Sequence, residues 1–294
     1  MNNFTKRVLF GLERRGLLNF LPDKIFLKIM FNAYLDEKLN LSNPQTFNEK
    51  MQWIKLYDRN PEYTRLVDKV EVKNFVAEKI GEKHIIPTLG VWDNVDDIDF
   101  DSLPDQFVLK CNHNSGLGMC ICKDKSKLDI QKVKNELSKG LKQDYFYHGR
   151  EWPYKNVPHK VFAEKYIADE SGYELKDYKF YCFDGKVRLL MINSDRMSDK
   201  QTRADYFDEN FEHKDFFWGY NGADTPPSKP EMFEEMVSIA EKLSEGIPHV
   251  RVDLYQTPHG IYFGEITFFD GSGFDKIVPS EWDYRIGSWI NIPV

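Results

Sequence analysis

The feature that most constrains this chain is the stretch HVRVDLYQTPHGIYFGEITFFDGSGF at residues 249–274. Apolar and polar residues alternate over residues 250–255 and again over 261–268, the period of strands half buried on a sheet. The QTPHG between them, residues 256–260, has turn chemistry, so the stretch is expected to form an antiparallel hairpin. Its polar positions are ordered. Arg251 and Asp253 share one face of the first strand, and Glu265 and Thr267 share one face of the second. Two hard carboxylates beside a guanidinium suit a divalent cation that bridges phosphates, with the arginine stabilising charge on a transferred phosphoryl group or its acceptor. On these residues alone a hairpin with one wet face and solvated charges is the favoured account. The rest of the chain reverses that preference.

At 294 residues the chain is long enough for two lobes or one large unit with a sizeable core. Its net charge of -7 offers nucleic acid no electrostatic partner, and none is expected. No apolar run approaches the roughly 20 residues that span a bilayer. The N-terminal MNNFTKRVLFGLERRGLLNFL is interrupted by Glu13, Arg14 and Arg15, so it lacks a signal core and the cytoplasm is the expected compartment. That stretch sets Val8, Leu9, Phe10, Leu12, Leu17 and Leu18 against Lys6, Arg7, Arg14 and Arg15. It is expected as an amphipathic helix docked on its own domain, with peripheral contact to the inner face of a membrane as the alternative. Cys111, Cys120, Cys122 and Cys182 have no paired C-x-x-C spacing, so reduced thiols rather than zinc are expected.

Residues 1 to about 80 have mainly helical patterning. Thr46 with Glu49 forms a capping box that opens a helix stopped at Asn60-Pro61, and a further helix over residues 62–79 carries Asp68-Lys69 in its first half, with Gly81 as its cap. Strands and turns follow from His84. Asp99 and Asp101, in an acidic linker, match weakly the short acidic signature of metal-dependent glycosyltransferases. Strand 107–110 ends in Lys110 and enters the loop CNHNSGLG, residues 111–118, whose glycines and backbone amides could fold over phosphates before strand 119–122. A helix with Ile130, Val133, Leu137 and Leu141 as its stripe comes next, then an aromatic loop, strand 161–167, and a hairpin of strands 177–183 and 186–192 around Asp184-Gly185. Residues 195–208, with Lys200 and Arg203, are expected as a charged connection, and Ser228 as the cap of a helix bearing Phe233, Met236, Ala240 and Leu243.

This order resembles the ATP-grasp superfamily: Asp-Lys on a helix, a lysine-ended strand with a glycine loop, Glu-Lys-Tyr-Ile in a strand, then R-x-D and E-x-T. The segments TFNEKMQWIKLYDRNPEYTRLVDK, FVLKCNHNSG, VFAEKYI, DYKFYCFDGK and GEITFFDGSGF are similar to its TupA-like branch, found with genes for cell-surface polysaccharides. The likeness covers residues 40 to 275.

The resemblance implies an α+β, ATP-grasp fold in which two α+β subdomains clasp ATP, with a mostly helical N-terminal region in place of the usual parallel α/β domain. Residues 1–105 would be that region and its linker, 106–168 the small subdomain, and 169–294 the large one. Lys69 and Lys110 would contact ATP phosphates, with Asn114, Ser115 and Gly116 in the covering loop. Glu164, Lys165 and Ile167 would line adenine, Asp177 would hold ribose, and Lys179 would reach toward phosphate. Asp253, Glu265 and Thr267 would hold magnesium, Thr267 standing where the family usually has asparagine. Arg251 would stabilise the reacting acyl centre, with Lys110 also in a catalytic role.

The implied activity is an ATP-dependent carboxylate–amine ligase of capsular or teichuronopeptide-like polysaccharide synthesis, joining a uronic acid of a glycan to an amino acid through an acyl-phosphate. Trp152, Tyr154, Trp218 and Tyr220 could stack on sugars, although such aromatics are more often core. A glycosyltransferase using Asp99 and Asp101, or a nucleotide-binding protein without turnover, are the alternatives.

Overall fold

The computed structural model describes residues 1–171, 175–194 and 202–293. Five helices come first: α1 (Asn3–Arg14), α2 (Asp23–Leu35), α3 (Phe47–Tyr57), α4 (Glu62–Val67) and α5 (Val72–Ile80). Strands β1 (Thr88–Trp92), β2 (Phe107–Cys111) and β3 (Met119–Cys122) lead to α6 (Ile130–Leu141), the short α7 (Phe146–Gly149) and β4 (Val161–Lys165). Then come β5 (Tyr178–Phe183), β6 (Lys186–Ser194), β7 (Arg203–Phe207), β8 (His213–Lys214), β9 (Phe217–Trp218), α8 (Phe233–Ser244), β10 (His249–Thr257), β11 (Gly260–Thr267), β12 (Ile277–Val278) and α9 (Ser280–Ser288).

Two antiparallel sheets form the body. One has strand order β1-β4-β2-β3 and the other β11-β10-β5-β6-β7-β8, while β12 and β9 make a small pair. The smaller sheet packs on α6 through Leu109, Val133, Leu137 and Ala163. The larger packs on α8 through Phe180, Val250, Met236 and Ala240, all wholly buried or nearly so. A third core joins α1 and α2 to Phe274, after β11.

Local chemistry explains much of this. Thr46 accepts from the Glu49 amide and Glu49 reaches back to the Thr46 amide, the expected reciprocal cap of α3. Asp184 and Gly185 take positive φ between β5 and β6, as the two-residue turn requires. Between β10 and β11 the register pairs Thr257 with Gly260, so the turn is two residues, tighter than the five expected. The ladder shifts between Asp253, opposite Glu265, and Leu254, opposite Phe263, leaving Gly264 as the extra residue of a bulge. A Cβ there would stand 3.0 Å from the Asp253 carbonyl oxygen, so glycine permits the close strand approach that carries the two acids.

Several expectations are corrected. The helix expected over 62–79 is two helices, broken where Asp68 takes an extended ψ of 111° and its Oδ1 accepts from the Val70 and Glu71 amides. Lys69 therefore sits in the break, not on a helical face. Ser228 does not cap α8, whose N-terminus is at Met232 and has no side-chain cap. Ile130 is exposed, leaving Val133 and Leu137 as the buried stripe of α6. Residues 203–207 of the expected charged connection form a strand inside the larger sheet, because Ala204, Tyr206 and Phe207 are buried there; Lys200 lies outside the described residues.

Candidate active site

β10 and β11 place four side chains together. Arg251 lies opposite Thr267 and Asp253 opposite Glu265, so all four share one face of the ladder. β5 adds Lys179, opposite Asp253 on the other side. The Arg251 guanidinium donates from Nε to Asp253 Oδ1 at 2.7 Å and from Nη2 to Asp253 Oδ2 at 2.8 Å. Nη2 also reaches Thr267 Oγ1 at 3.1 Å and Glu265 Oε1 at 3.3 Å, and Nη1 donates to Asp270. Lys179 bonds Asp253 and stands 3.3 Å from Asp177. Burial pulls the Lys179 ammonium down, but the adjacent Asp253 reverses this and holds it above its ordinary value.

The break before α5 brings Lys69 to the same centre. Its Nζ lies 3.2 Å from Glu265 Oε2 and 3.0 Å from the Asn114 carbonyl oxygen, and its own amide donates to the Asn112 carbonyl. Burial alone would raise Glu265; Lys69, then Lys179 and Arg251, overcome it and hold the carboxyl well below the usual range. Lys110, at the end of β2, pairs with Glu164 Oε2 at 2.9 Å. Lys73 takes the other oxygen at 2.7 Å. The two lysines reverse the effect of burial on Glu164 and keep it ionised.

These groups divide two cavities. A mainly apolar slot of about 260 Å³ is lined by Val108, Met119 and Ile121 of the smaller sheet, Tyr255 of the larger, and Lys110, Glu164, Lys165, Ile167 and Asp177. A polar cavity of about 320 Å³ is lined by Lys69, Ser115, Arg251, Glu265, Thr267 and Asp270, and also by Tyr34, Tyr145, His148, Glu151, Tyr154 and Asp275. The ion-pair series Asp177, Lys179, Asp253, Arg251, Asp270 runs from one cavity to the other. The slot has the size and apolar walls of a base pocket, while the cationic boundary offers donors to an anionic chain.

The glycine loop is anchored at its base. Asn112 donates to the Pro158 carbonyl and accepts from the Lys160 amide, and Asn114 turns its side chain to the Gly140 carbonyl at 3.1 Å. Asn114 therefore faces the loop's support, and only its carbonyl meets Lys69. Gly116, at φ 81°, has nothing within 4 Å of a would-be Cβ, so the loop tip is free of packing on the body and takes a backbone conformation that favours glycine.

The donor set fits magnesium in kind. Asp253, Glu265 and Thr267 present hard oxygens, and magnesium is held through one or two carboxylates together with substrate phosphates. Among the described residues no three His, Cys, Asp or Glu side chains make a metal cage. Asp99, by contrast, accepts from the Asp101 and Ser102 amides in an exposed turn. Trp218 is core and Tyr220 exposed away from both cavities, so of the four aromatic residues weighed for sugar stacking only Tyr154 lines one.

Sequence reasoning missed Asp270, Tyr255, Lys73 and the buried pair Lys55 and Glu151. Asp270 follows β11 in the glycine-rich DGSG turn, a sequence that signals a turn and nothing more. Lys55 is 1 % exposed and donates to Gln52 Oε1, Gly149 O and Ser272 O, and Glu151 accepts from the Ser272 hydroxyl, so α3 and α7 together brace the Asp270 turn.

The chain is similar to D-alanine–D-alanine ligase from Bacillus anthracis complexed with ATP, at 18% identity and TM-score 0.41, over 69% of this chain and 54% of that one. It spans about half the length of that relative. It is also similar to D-alanine–D-alanine ligase from Helicobacter pylori, at 15% identity and TM-score 0.43, over 83% and 69% of the two chains. An ADP complex of carboxyaminoimidazole ribonucleotide synthetase matches at 12% identity and TM-score 0.45, over 82% and 56%. No curated protein matches the chain. The model of the TupA-like ATP-grasp family matches residues 49–291, most of the chain, and the protein, which has the ATP-grasp fold, belongs to that family.

Proposed function

We propose that this protein is an ATP-dependent carboxylate–amine ligase that joins a uronic acid of a cell-surface, capsular or teichuronopeptide-like glycan to an amino acid. The observation that carries the reading is the ion-pair series that separates a base-sized apolar slot from a polar cavity holding Arg251. In this account residues 106–168 and 169–294 are the two subdomains that clasp ATP, behind a helical region over 1–105.

Adenine lies in the slot against Val108, Ile121 and Tyr255, with the backbone of residues 165–167 along its edge and Asp177 at the ribose. Lys110 and Lys69 donate to phosphate oxygens, and the loop with Ser115 and Gly116 closes over them and excludes water. Magnesium, held at Asp253, Glu265 and Thr267, would neutralise charge on the phosphates during transfer. An oxygen of the acceptor carboxylate attacks the terminal phosphorus and ADP leaves. The amine then attacks the acyl carbon, Arg251 stabilises the oxyanion that forms, and phosphate leaves with its carboxylate oxygen. Acids lining the polar cavity, Glu151, Asp270 and Asp275, suit an incoming ammonium group. The compartment proposed is the cytoplasm, with the N-terminal helix as a peripheral contact to the inner face of the membrane.

The test is ADP and phosphate release with uronates and amino acids in pairs, followed by a uronate with isotopically heavy carboxylate oxygen. Transfer of one heavy oxygen to the released phosphate is expected. Turnover of a UDP-sugar, with no ATP consumed, would overturn the reading.

A further inference from the structure

The first helices present an outer surface that the body of the protein does not cover. On α1, Phe4, Arg7, Val8 and Gly11 recur at the spacing of one helical face, which Arg15 at its C-cap continues. Phe4 is 77% exposed, and α1 buries none of its residues fully. The opposite face, with Leu9, Phe10 and Leu12, packs on the core shared with α2 and Phe274. The turn after α1 then shows Leu17, and Phe20 at 81% exposure. Ile25 continues the apolar surface at the start of α2.

This turn is held with Leu17 and Phe20 outward while Leu18 is buried in the core beneath. The Arg150 guanidinium donates to the carbonyls of Leu18, Asn19 and Leu21, and stacks 4.5 Å over the Phe26 ring. Glu13, the one acid of α1, faces inward and accepts from the Tyr34 hydroxyl. Lys6 is neutralised by Asp36. Arg7, Arg15, Lys24 and Lys28 are exposed, with no ion pair among the described residues.

Charge decides what covers this surface. Residues 1–28 hold six basic side chains and two acidic ones, Glu13 and Asp23, a net of +4 in a chain whose total is -7. We infer that the hairpin of α1 and α2, with its intervening turn, is a docking face for an anionic lipid bilayer, in which Phe4, Val8, Leu17, Phe20 and Ile25 enter the interface and Arg7, Arg15, Lys24 and Lys28 meet headgroups. Aromatic and aliphatic groups mixed with arginine and lysine on a surface helix suit that interface, and each cation adds about fivefold to partition onto an anionic membrane. Tyr34 links the platform to the chemistry: it packs on Phe10 at 4.6 Å, stacks on Phe274 at 5.2 Å, and lines the polar cavity. An acceptor carried on a lipid would thus meet the cavity from the docked side.

The inference rests on the peripheral contact proposed above and not on the ligation chemistry. Its test is flotation of the full chain with phosphatidylcholine vesicles, with and without phosphatidylglycerol, while ATP binding is followed separately by thermal shift. Binding to the anionic vesicles only, weakened by salt, is expected. Phe4→Ser with Phe20→Ser should abolish it, and Arg7→Gln with Arg15→Gln should weaken it more than tenfold, both with the ATP shift retained. No flotation of a chain that still binds ATP would overturn the inference and leave the ligase reading intact. So would a concentration-dependent dimer, lost in Phe20→Ser, in place of vesicle binding. Flotation without any ATP shift would sustain the docking face and overturn the nucleotide site.

Discussion

Arg251 grips both oxygens of Asp253, at 2.7 Å from Nε and 2.8 Å from Nη2, from two residues away on the same strand. The guanidinium plane is thereby fixed beside Glu265 and Thr267 and at the wall of the polar cavity. Lysine cannot reproduce a bidentate pair, because it is a point charge on a flexible stem. Arg251→Lys should lower kcat about 10²–10³-fold, the usual cost of losing one oriented oxyanion donor. ATP affinity should change little. Steady-state kinetics with ATP and acceptor varied in turn would check this.

Lys73 and Lys110 flank the same carboxylate, yet they should behave differently. Lys73 is fully engaged, with Glu164, the Ile86 carbonyl and the Thr88 hydroxyl as its three acceptors. Among the described residues Lys110 bonds only Glu164, and it lines the slot. Lys73→Met should lower the melting temperature and keep an ATP-induced shift, whereas Lys110→Met should lose that shift with a smaller change in the unliganded protein.

Lys55 ties α3 to the turn that carries Asp270. All three of its N–H donors are taken, and its ring contact with Phe274 is 4.6 Å. Burial lowers its pKa to about 7, against the attraction of Glu151. Removing one partner of a buried charge pair costs about 3–5 kcal/mol. Lys55→Met should therefore destabilise the protein by that order in urea unfolding, and Lys55→Met with Glu151→Gln should recover part of the loss.

Asp275, on the polar cavity, is pushed up to about 6 by burial and then by Asp270, from an ordinary value of 3.8. A raised carboxyl binds its proton more tightly in the folded state. Its contribution is complete below the unfolded pKa and is lost as pH rises through the folded one. The loss between about pH 4 and 6 is at most ~3 kcal/mol, reduced by the water that still reaches this partly buried group. Wild type minus Asp275→Asn, compared in urea across that range, should fall as pH rises.

The hairpin, the capping box and the shared faces of Arg251 with Asp253 and Glu265 with Thr267 were legible because each rests on local signals: alternation, a turn dipeptide, a charge two residues from another. The places of Lys69 and Lys179 were legible only through family resemblance. Periodicity ran one helix through residues 62–79, while Asp68 ends α4 with an extended backbone, holds the turn before α5 through the Val70 and Glu71 amides, and leaves Lys69 turned toward Glu265. Asp270, Lys55 and Glu151 gave no sequence signal, since their meeting depends on α3, α7 and the turn after β11 converging from positions far apart in the chain.

The central claim is an ATP site on the boundary between the two cavities, and thermal shift with magnesium tests it most directly. Wild type and Lys110→Ala would each be measured with ATP, with UDP-glucose and with buffer. A ligand that binds only the folded state stabilises it by about 2.7 kcal/mol at a hundredfold excess over Kd. The account predicts an upward shift of wild type with ATP, none with UDP-glucose, and no ATP shift in Lys110→Ala. A shift with UDP-glucose and none with ATP would contradict it.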